Sequence, residues 1–235
     1  MKLSHSYKII VTAAALIFAG APTISAAQSD AGPYIVMIGT PASGKSVNSE
    51  LISKTYDIPW VNVREKLLAE VKRESKKGRS TAAMAHKRGA ASSKRKQSYK
   101  AAVAKLEAGE LINDDSLNAL VASEILSPKA SGGFILDGYP MTVDQAEFLD
   151  SILELRQMIP LTVIYLNIPD EVALQRMKER GRSDDKRDIG KDRLRIFNSM
   201  IGPLVDYYGE EIVNEIDATK SKAEIAAEIA NILGE

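Results

Sequence analysis

Residues 39–46 read GTPASGKS, and this stretch decides the fold of the chain. It follows a β-branched and aromatic run at residues 33–38 and precedes a segment, 46–56, in which apolar residues recur at helical spacing. A strand, a glycine loop and a helix in this order match the phosphate-binding pattern Gly-x4-Gly-Lys-Ser without a gap. A glycine-rich turn that binds no ligand is the alternative, and the flanking strand and helix argue against it.

The residue types of this loop suit a phosphate chain. Glycines let backbone N–H groups approach phosphate oxygens, while Lys45 reaches the β- and γ-phosphates and the Ser46 hydroxyl can ligate Mg²⁺. The following helix offers its positive N-terminal end to the same anion. The sequence therefore predicts a nucleoside triphosphate site formed by Gly39, Pro41, Ala42, Ser43, Gly44, Lys45, Ser46 and Val47.

Further strands and helices alternate along the chain. Nearly continuous apolar runs, typical of parallel strands covered on both faces, lie at 60–63, 133–137 and 161–167, with a last short strand expected at 215–217. Helical patterns lie between them at 114–126, 143–155, 169–179 and 221–233. This alternation predicts an α/β fold of three layers, with a parallel sheet of about five strands and helices on both sides.

Composition limits the class of protein. The chain has 235 residues, of which 45% are hydrophobic and 26% charged, which suits one globular domain with a sizeable core. Lys+Arg and Asp+Glu both number 31, so global charge does not indicate nucleic acid or an acidic membrane as a partner. Cysteine is absent, which excludes disulfides, thiolate metal sites and a cysteine nucleophile.

The first 27 residues have the pattern of a secretory signal peptide. Lys2 and Lys8 precede an apolar run at residues 9–19 that is too short to span a bilayer, and small residues follow at 25–27. An uncleaved amino-terminal anchor is the alternative. We expect cleavage near Ala26 or Ala27, export to a bacterial periplasm, a mature domain over residues 32–235, and no membrane association after cleavage.

Residues 72–96 break the alternating pattern. This basic insert holds ten Lys or Arg residues against a single acidic residue, Glu74. Two interpretations remain open: an exposed helical insert with a solvated surface, or a patch that binds a polyanion. The segment has no aromatic residue for stacking on bases, so we expect no nucleic acid as a partner.

Two further groups of residues point to phosphoryl transfer. Asp137 ends an apolar strand, where its carboxylate can hold Mg²⁺-bound water; a helix cap or turn is the alternative. Arg176, Arg180, Arg182 and Arg193 surround a short polar segment, and guanidinium groups stabilise charge spread over equatorial phosphoryl oxygens. A solvated helix paired with nearby Asp and Glu residues is the alternative for these arginines.

Four landmarks stand in a shared order and approximate spacing. They are the loop with Pro41, the stretch AGELI at 108–112, LDGYP at 136–140 followed by Gln145, and the segment 176–193. From about Tyr34 onward the chain resembles the nucleoside monophosphate kinases, most of all adenylate kinases of the short-lid type. The resemblance implies a P-loop nucleotide kinase fold, with a helical acceptor-side insert at about 63–115 and a short lid at about 178–192.

The resemblance also implies roles for individual residues. Arg176 would lie against the base of ATP, the phosphoryl donor, and Asp184 and Asp185 would hold the arginines of the closed lid. Mg²⁺ would be the cofactor, a nucleoside monophosphate or an altered acceptor the second substrate, and the protein a monomer. The catalytic residues would be Lys45, Arg180, Arg182 and Arg193, and the metal would be held at Ser46 and Asp137. The acceptor would be bound by Glu110, Leu111, Ile112, Gly138 and Gln145, the last at the adenine edge.

The acceptor side departs from the family pattern. Val63 and Leu68 stand where members have a threonine and an arginine that hold AMP, and Met141 replaces a second such arginine. Arg64, Lys66 or the basic insert could supply substitutes. Two functions therefore compete: ATP-dependent phosphorylation of a nucleoside monophosphate, and nucleotide binding by an exported kinase relative with little or no catalysis.

Overall fold

The computed structural model of the protein describes residues 32–80, 97–98, 100–105, 108, 114–182, 185 and 187–234. The signal-peptide region, residues 81–96 of the basic insert and the acceptor residues Glu110, Leu111 and Ile112 lie outside the described residues. No helix within the described ranges is long and apolar enough to cross a membrane.

Strands and helices alternate through the described chain. The strands are β1 (Tyr34–Gly39), β2 (Trp60–Asn62), β3 (Phe134–Asp137), β4 (Leu161–Asn167) and β5 (Val213–Asp217). The helices are α1 (Lys45–Tyr56), α2 (Val63–Ser80), α3 (Asp114–Ile125), α4 (Val143–Arg156), α5 (Asp170–Arg180), α6 (Arg187–Tyr208) and α7 (Lys222–Leu233). Residues 100–105 are also helical.

The five strands form one parallel sheet in the order β2-β3-β1-β4-β5, which confirms the predicted sheet. In the register of the sheet, Asp137 lies beside both Met37 and Asn62. The carboxyl ends of β2, β3 and β1 therefore meet at one edge, and open parallel sheets bind their ligands in the crevice at that edge.

Two hydrophobic cores cover the two faces of the sheet. Side chains of β1 alternate between them, as strand geometry requires: Ile35 and Met37 enter one core, Val36 and Ile38 the other. The first core packs against α1, α5 and α7, and the second against α2, α3, α4 and most of α6. This arrangement confirms the three-layer fold.

Some strand boundaries differ from the prediction, and the first difference concerns Val63. It was expected in a strand, but it begins α2 because the Asn62 side-chain oxygen accepts a hydrogen bond from the backbone N–H of Glu65 at 3.0 Å and caps the helix. β5 also begins two residues before its predicted start. Within the predicted lid, 178–192, α5 ends at Arg180 and α6 begins at Arg187.

Candidate active site

The glycine loop lies directly against β4. The backbone N–H of Thr40 donates to the carbonyl of Leu166 at 3.1 Å, and a Cβ atom at Gly39 would overlap that same carbonyl oxygen. The Thr40 hydroxyl adds a contact of 3.3 Å to Asn167. Glycine is thus required at position 39 by close approach, and the loop is fixed to the sheet at its first two residues.

The middle of the loop turns through left-handed backbone conformations. Gly44, at the start of α1, has φ = 100°, and Ala42 has φ = 65°. The hydroxyl of Ser43 is buried and has no hydrogen-bond partner within the described part of the chain. A buried hydroxyl in such a loop fits a phosphate oxygen as its partner, because buried polar groups are normally hydrogen-bonded.

Lys45, the first residue of α1, turns back over the loop. Its Nζ atom donates to the carbonyls of Gly39 at 2.6 Å and Thr40 at 3.1 Å. Burial lowers the pKa of Lys45 to about 8; Asp137 raises it, while Arg193 and Arg180 lower it further. The ammonium group is thus held among other cations, and an anion bound there would stabilise its charged form.

Ser46 and Asp137 meet as the predicted metal site requires. The Ser46 hydroxyl donates to Oδ2 of Asp137 at 2.9 Å. Burial raises the pKa of Asp137, against the opposing effects of Lys45 and Ser46. A hydroxyl and a buried carboxylate fit Mg²⁺, which takes one or two protein oxygens and completes its shell with water and phosphate. The described residues hold no cluster of three or more acidic, His or Cys side chains that would bind a metal by itself.

Asn62 belongs to the same group, although the sequence did not indicate it. Its Nδ2 atom lies 3.2 Å from Oδ2 of Asp137 and 3.4 Å from the Ser46 hydroxyl. The sequence shows Asn62 as a polar residue at the end of an apolar strand. Its contact with Asp137 depends on how β2 and β3 pair, which the sequence does not reveal. Asn62 therefore links the carboxylate of the metal site to the start of α2.

The lid arginines converge on one buried carboxylate. Arg180 donates to both oxygens of Asp185, at 2.8 and 2.7 Å, and Arg193 donates to Oδ1 at 3.1 Å. The backbone N–H of Arg182 adds a contact of 3.2 Å. Burial alone would raise the pKa of Asp185, but hydrogen bonds and charge from Arg180, with Arg182 and Arg193, hold that pKa below its usual value. Asp185 thus contacts the lid arginines, as the resemblance implies, while Asp184 lies outside the described residues.

One cavity of about 650 Å³ joins the loop, the sheet edge and the lid. It is lined by most of the predicted site residues that the structure describes: Gly39, Pro41, Ala42, Gly44, Lys45, Ser46, Val47, Asp137, Gly138, Gln145, Arg176, Arg180, Arg182 and Arg193. Ser43 lines a smaller neighbouring cavity, to which Arg176 also contributes.

The acceptor side of the cavity is more apolar. Val63, Leu67 and Met141 line it, and Leu68 does not. Gln145 is buried, and its Oε1 atom accepts a hydrogen bond from the backbone N–H of Met141 at 2.8 Å. Arg64 lines the cavity as well, on the first turn of α2. Of the two candidate cations on α2, Arg64 lines the cavity and Lys66 does not.

Comparison with known proteins agrees with this geometry. A family model described as adenylate kinase matches residues 88–213. The adenylate kinase of Mycobacteroides abscessus is 30% identical over 200 residues, which cover 85% of this chain and 98% of that protein. The adenylate kinase of Mycobacterium tuberculosis H37Rv has the same identity, aligned length and coverages. That of Nocardia farcinica is 28% identical over 195 residues, 80% of this chain and 96% of that protein. The chain belongs to the adenylate kinase family.

Proposed function

We propose that the protein transfers the γ-phosphoryl group of ATP to a nucleoside monophosphate, with Mg²⁺ as cofactor. Family membership supports nucleotide phosphotransfer in general. One observation carries the finer proposal: a single cavity joins the phosphate loop and the lid arginines to Gly138 and Gln145 on the acceptor side. Donor and acceptor could thus occupy one cleft, as direct transfer between them requires.

The residues on the donor side divide the work of binding and charge stabilisation. The loop amides and Lys45 would hold the β- and γ-phosphates. Arg180, Arg182 and Arg193 would stabilise the negative charge that develops on the transferred group. Ser46, and Asp137 through bound water, would hold Mg²⁺, which supplies neutralisation of phosphate charge when bound.

The acceptor side would supply orientation and exclude water. An oxygen of the acceptor phosphate forms the new bond to the γ-phosphorus, and the bond to the β-phosphate oxygen breaks, leaving ADP. Phe197, Met200 and Leu204 of α6 line the same cavity with apolar surface. Such surface limits the access of water, which would otherwise compete with the acceptor for the phosphoryl group.

A screen of acceptors tests the proposal. The full chain and its processed form would be assayed with ATP and Mg²⁺ against AMP, CMP, UMP, GMP and dTMP, with transfer followed by radiolabel. We expect turnover of at least one acceptor, its loss in Lys45→Ala, and in Arg182→Ala a kcat lowered far more than ATP affinity. No turnover of any acceptor by a chain that binds ATP would contradict the proposal, and unchanged turnover in both variants would refute the assigned site.

The acceptor wall favours one alternative function. Val63 and Met141 present apolar side chains to the cavity at positions where the resemblance implies polar, AMP-binding ones. The alternative is therefore a nucleotide-binding kinase relative with little or no catalysis. Tight binding of ATP without transfer to any of the five nucleotides would support it, whereas robust phosphorylation of AMP would remove it.

We further propose that the protein is exported and acts as a monomer. The pattern of residues 1–27 supports export to the periplasm. Amino-terminal sequencing of protein from the native host should find a start near residue 27 or 28, and a retained Met1 would contradict cleavage. Light scattering of the processed protein should give the mass of a single chain; a dimer mass would contradict the monomer.

A further inference from the structure

We propose that Arg64 binds the phosphate group of the acceptor nucleotide, in place of the guanidinium that the family pattern would carry at position 68. This inference rests on the proposed phosphotransfer function and names a specificity-determining residue for it. Arg64 is the second residue of α2 and follows directly on the sheet edge where Asn62 contacts Asp137. It therefore lies next to the site at which Mg²⁺ and the transferred phosphoryl group are expected.

The side chain of Arg64 belongs to the cleft wall. It lines the 650 Å³ cavity together with Lys45 and the lid arginines, and its Nε atom is buried. A half-buried guanidinium on a cavity wall can make two parallel hydrogen bonds to phosphate oxygens, which is the geometry in which arginine recognises phosphate best.

Lys66, the neighbouring cation, contacts α3 and not the cavity. Its Nζ atom forms an ion pair with Glu124 of α3 at 2.7 Å, and it does not line the cavity. Arg64 and Leu68 stand four residues apart and so share one face of α2, separated by about 6 Å along the axis. Compared with the family pattern, the guanidinium at position 64 lies one helical turn closer to the sheet edge than one at position 68 would.

The charge of the acceptor also requires a cation on this wall. A nucleotide phosphate carries about two negative charges at neutral pH. The other cavity-lining residues of α2 are Val63 and Leu67, both apolar, and α3 contributes Leu117. Arg180 and Arg193 also line the cavity, but the proposed function assigns them to the transferred phosphoryl group, and they share the carboxylate of Asp185. Among the described side chains of α2, Arg64 is the cation that lines the cavity.

The test compares Arg64→Ala with Lys66→Ala, a matched control on the same helix. For whichever monophosphate the wild type phosphorylates, Arg64→Ala should raise the acceptor KM by about 10- to 100-fold, as expected for loss of charged hydrogen bonds. The KM for ATP should stay within about twofold, because the donor side is untouched. Lys66→Ala should change neither constant by more than about twofold, since Lys66 does not line the cavity and its ion pair with Glu124 is partly exposed.

Two more variants separate phosphate binding from a structural role. Arg64→Lys keeps the charge but not the two-pronged contact, so it should fall between wild type and Arg64→Ala. The double variant Arg64→Ala/Leu68→Arg returns the guanidinium to the family position and should recover at least part of the acceptor KM. A purely structural role for Arg64 would not be rescued one turn away.

Binding measurements distinguish the possible failures. Calorimetry with AMP, CMP, UMP, GMP and dTMP, in the presence of a non-hydrolysable ATP analogue, is run on wild type and Arg64→Ala. If wild type transfers phosphate and Arg64→Ala binds and uses the acceptor equally well, this inference is wrong and the proposed function stands. If wild type neither binds nor phosphorylates any of them, both are wrong.

Discussion

Arg180 donates two hydrogen bonds to the carboxylate of Asp185, from Nε at 2.8 Å and from Nη2 at 2.7 Å. The carboxylate is 1% exposed, and Arg193 shares its Oδ1 atom. Two arginines from different helices, α5 and α6, are thereby fixed on one anion. Donors fixed before reaction stabilise a transition state at low reorganisation cost, so we expect Asp185 to act as a positioning residue for the lid arginines.

Replacing this carboxylate should disturb catalysis more than nucleotide binding. In Asp185→Asn we expect kcat to fall by about 10-fold or more, because loss of a charged hydrogen bond is worth about 1.5–3 kcal/mol, while the KM for ATP changes little. Asp192→Asn is the matched control, since Asp192 pairs with Arg195 at 3.4 Å on an exposed surface of α6. Equal effects of the two substitutions would contradict a positioning role.

The same variant has a predictable dependence on pH. Because the pKa of Asp185 is lowered in the fold, its stabilising contribution is present above the unfolded-state pKa and is lost as pH falls through the folded value. The free energy of unfolding of wild type should thus exceed that of Asp185→Asn by about 1–2 kcal/mol near neutral pH, after discounting for the partly exposed arginines. The difference should shrink in acid; urea unfolding at pH 7 and pH 3.5 measures both values.

Nucleotide affinity should depend on the charge of Lys45. Its pKa of about 8 means that the ammonium group loses its proton as pH rises from 7 to 9. Phosphate binds the charged form, so affinity for an ATP analogue should fall as pH rises, by about 10-fold at pH 9 if only that form binds. Calorimetry at pH 7, 8 and 9 measures the trend. The Lys45→Met variant should bind the ATP analogue weakly, and its affinity should not change over this pH range. If its affinity falls with pH as in wild type, the titrating group is not Lys45.

Most of the fold could be predicted from the sequence because its signals are local. The glycine loop, the apolar runs and the helical spacing each depend on a few neighbouring residues, and together they determine a parallel three-layer sheet. Val63 was misplaced because the side chain of Asn62 caps a helix there, and β-branched residues alone favour a strand. Local propensity was overridden by a single hydrogen bond.

Site residues could be predicted from the sequence where the residue type alone indicates the chemistry. They could not be predicted where their closeness to other site residues depends on strand register or on which face of a helix they occupy. The types and spacing of Lys45, Ser46 and the arginines predict their roles, and the structure brings these residues to one cavity. Asn62 reaches Asp137 only because β2 and β3 pair in one particular register. That Arg64 lines the cavity and Lys66 contacts Glu124 of α3 depends on which face of α2 meets the cavity.

The Asp137 carboxylate should lower the stability of the fold while contributing to Mg²⁺ binding. Burial raises its pKa, so folding favours the protonated form, and the ionised carboxylate destabilises the protein as pH rises through the folded value. Asp137→Asn should therefore raise the melting temperature of protein without nucleotide or Mg²⁺ at pH 7, with a gain that shrinks as the pH is lowered. It should also lower kcat by about 10- to 100-fold and raise the Mg²⁺ concentration needed for half-maximal rate.

A matched substitution checks that assignment. Asp206 is exposed on α6, and Asp206→Asn should leave both the melting temperature and the Mg²⁺ titration unchanged. Calorimetric melting and a Mg²⁺ titration at saturating ATP measure the two effects. A melting temperature below that of wild type would contradict the proposed penalty for burying the ionised carboxylate, and an unchanged Mg²⁺ requirement would contradict the metal role.

Ala42 offers a test of strain in the phosphate loop. Its φ of 65° lies in the left-handed region, which costs an L-residue about 1–2 kcal/mol, whereas glycine loses about 0.4–1 kcal/mol more entropy on folding. Ala42→Gly should therefore raise the free energy of unfolding by about 0.5–1 kcal/mol and the melting temperature by about 1–4 °C. Ala227→Gly, at an exposed position inside α7, should lower stability by about 1 kcal/mol. Chemical and thermal unfolding compare the two variants, and a loss of stability in both would mean that the loop does not hold Ala42 in this conformation.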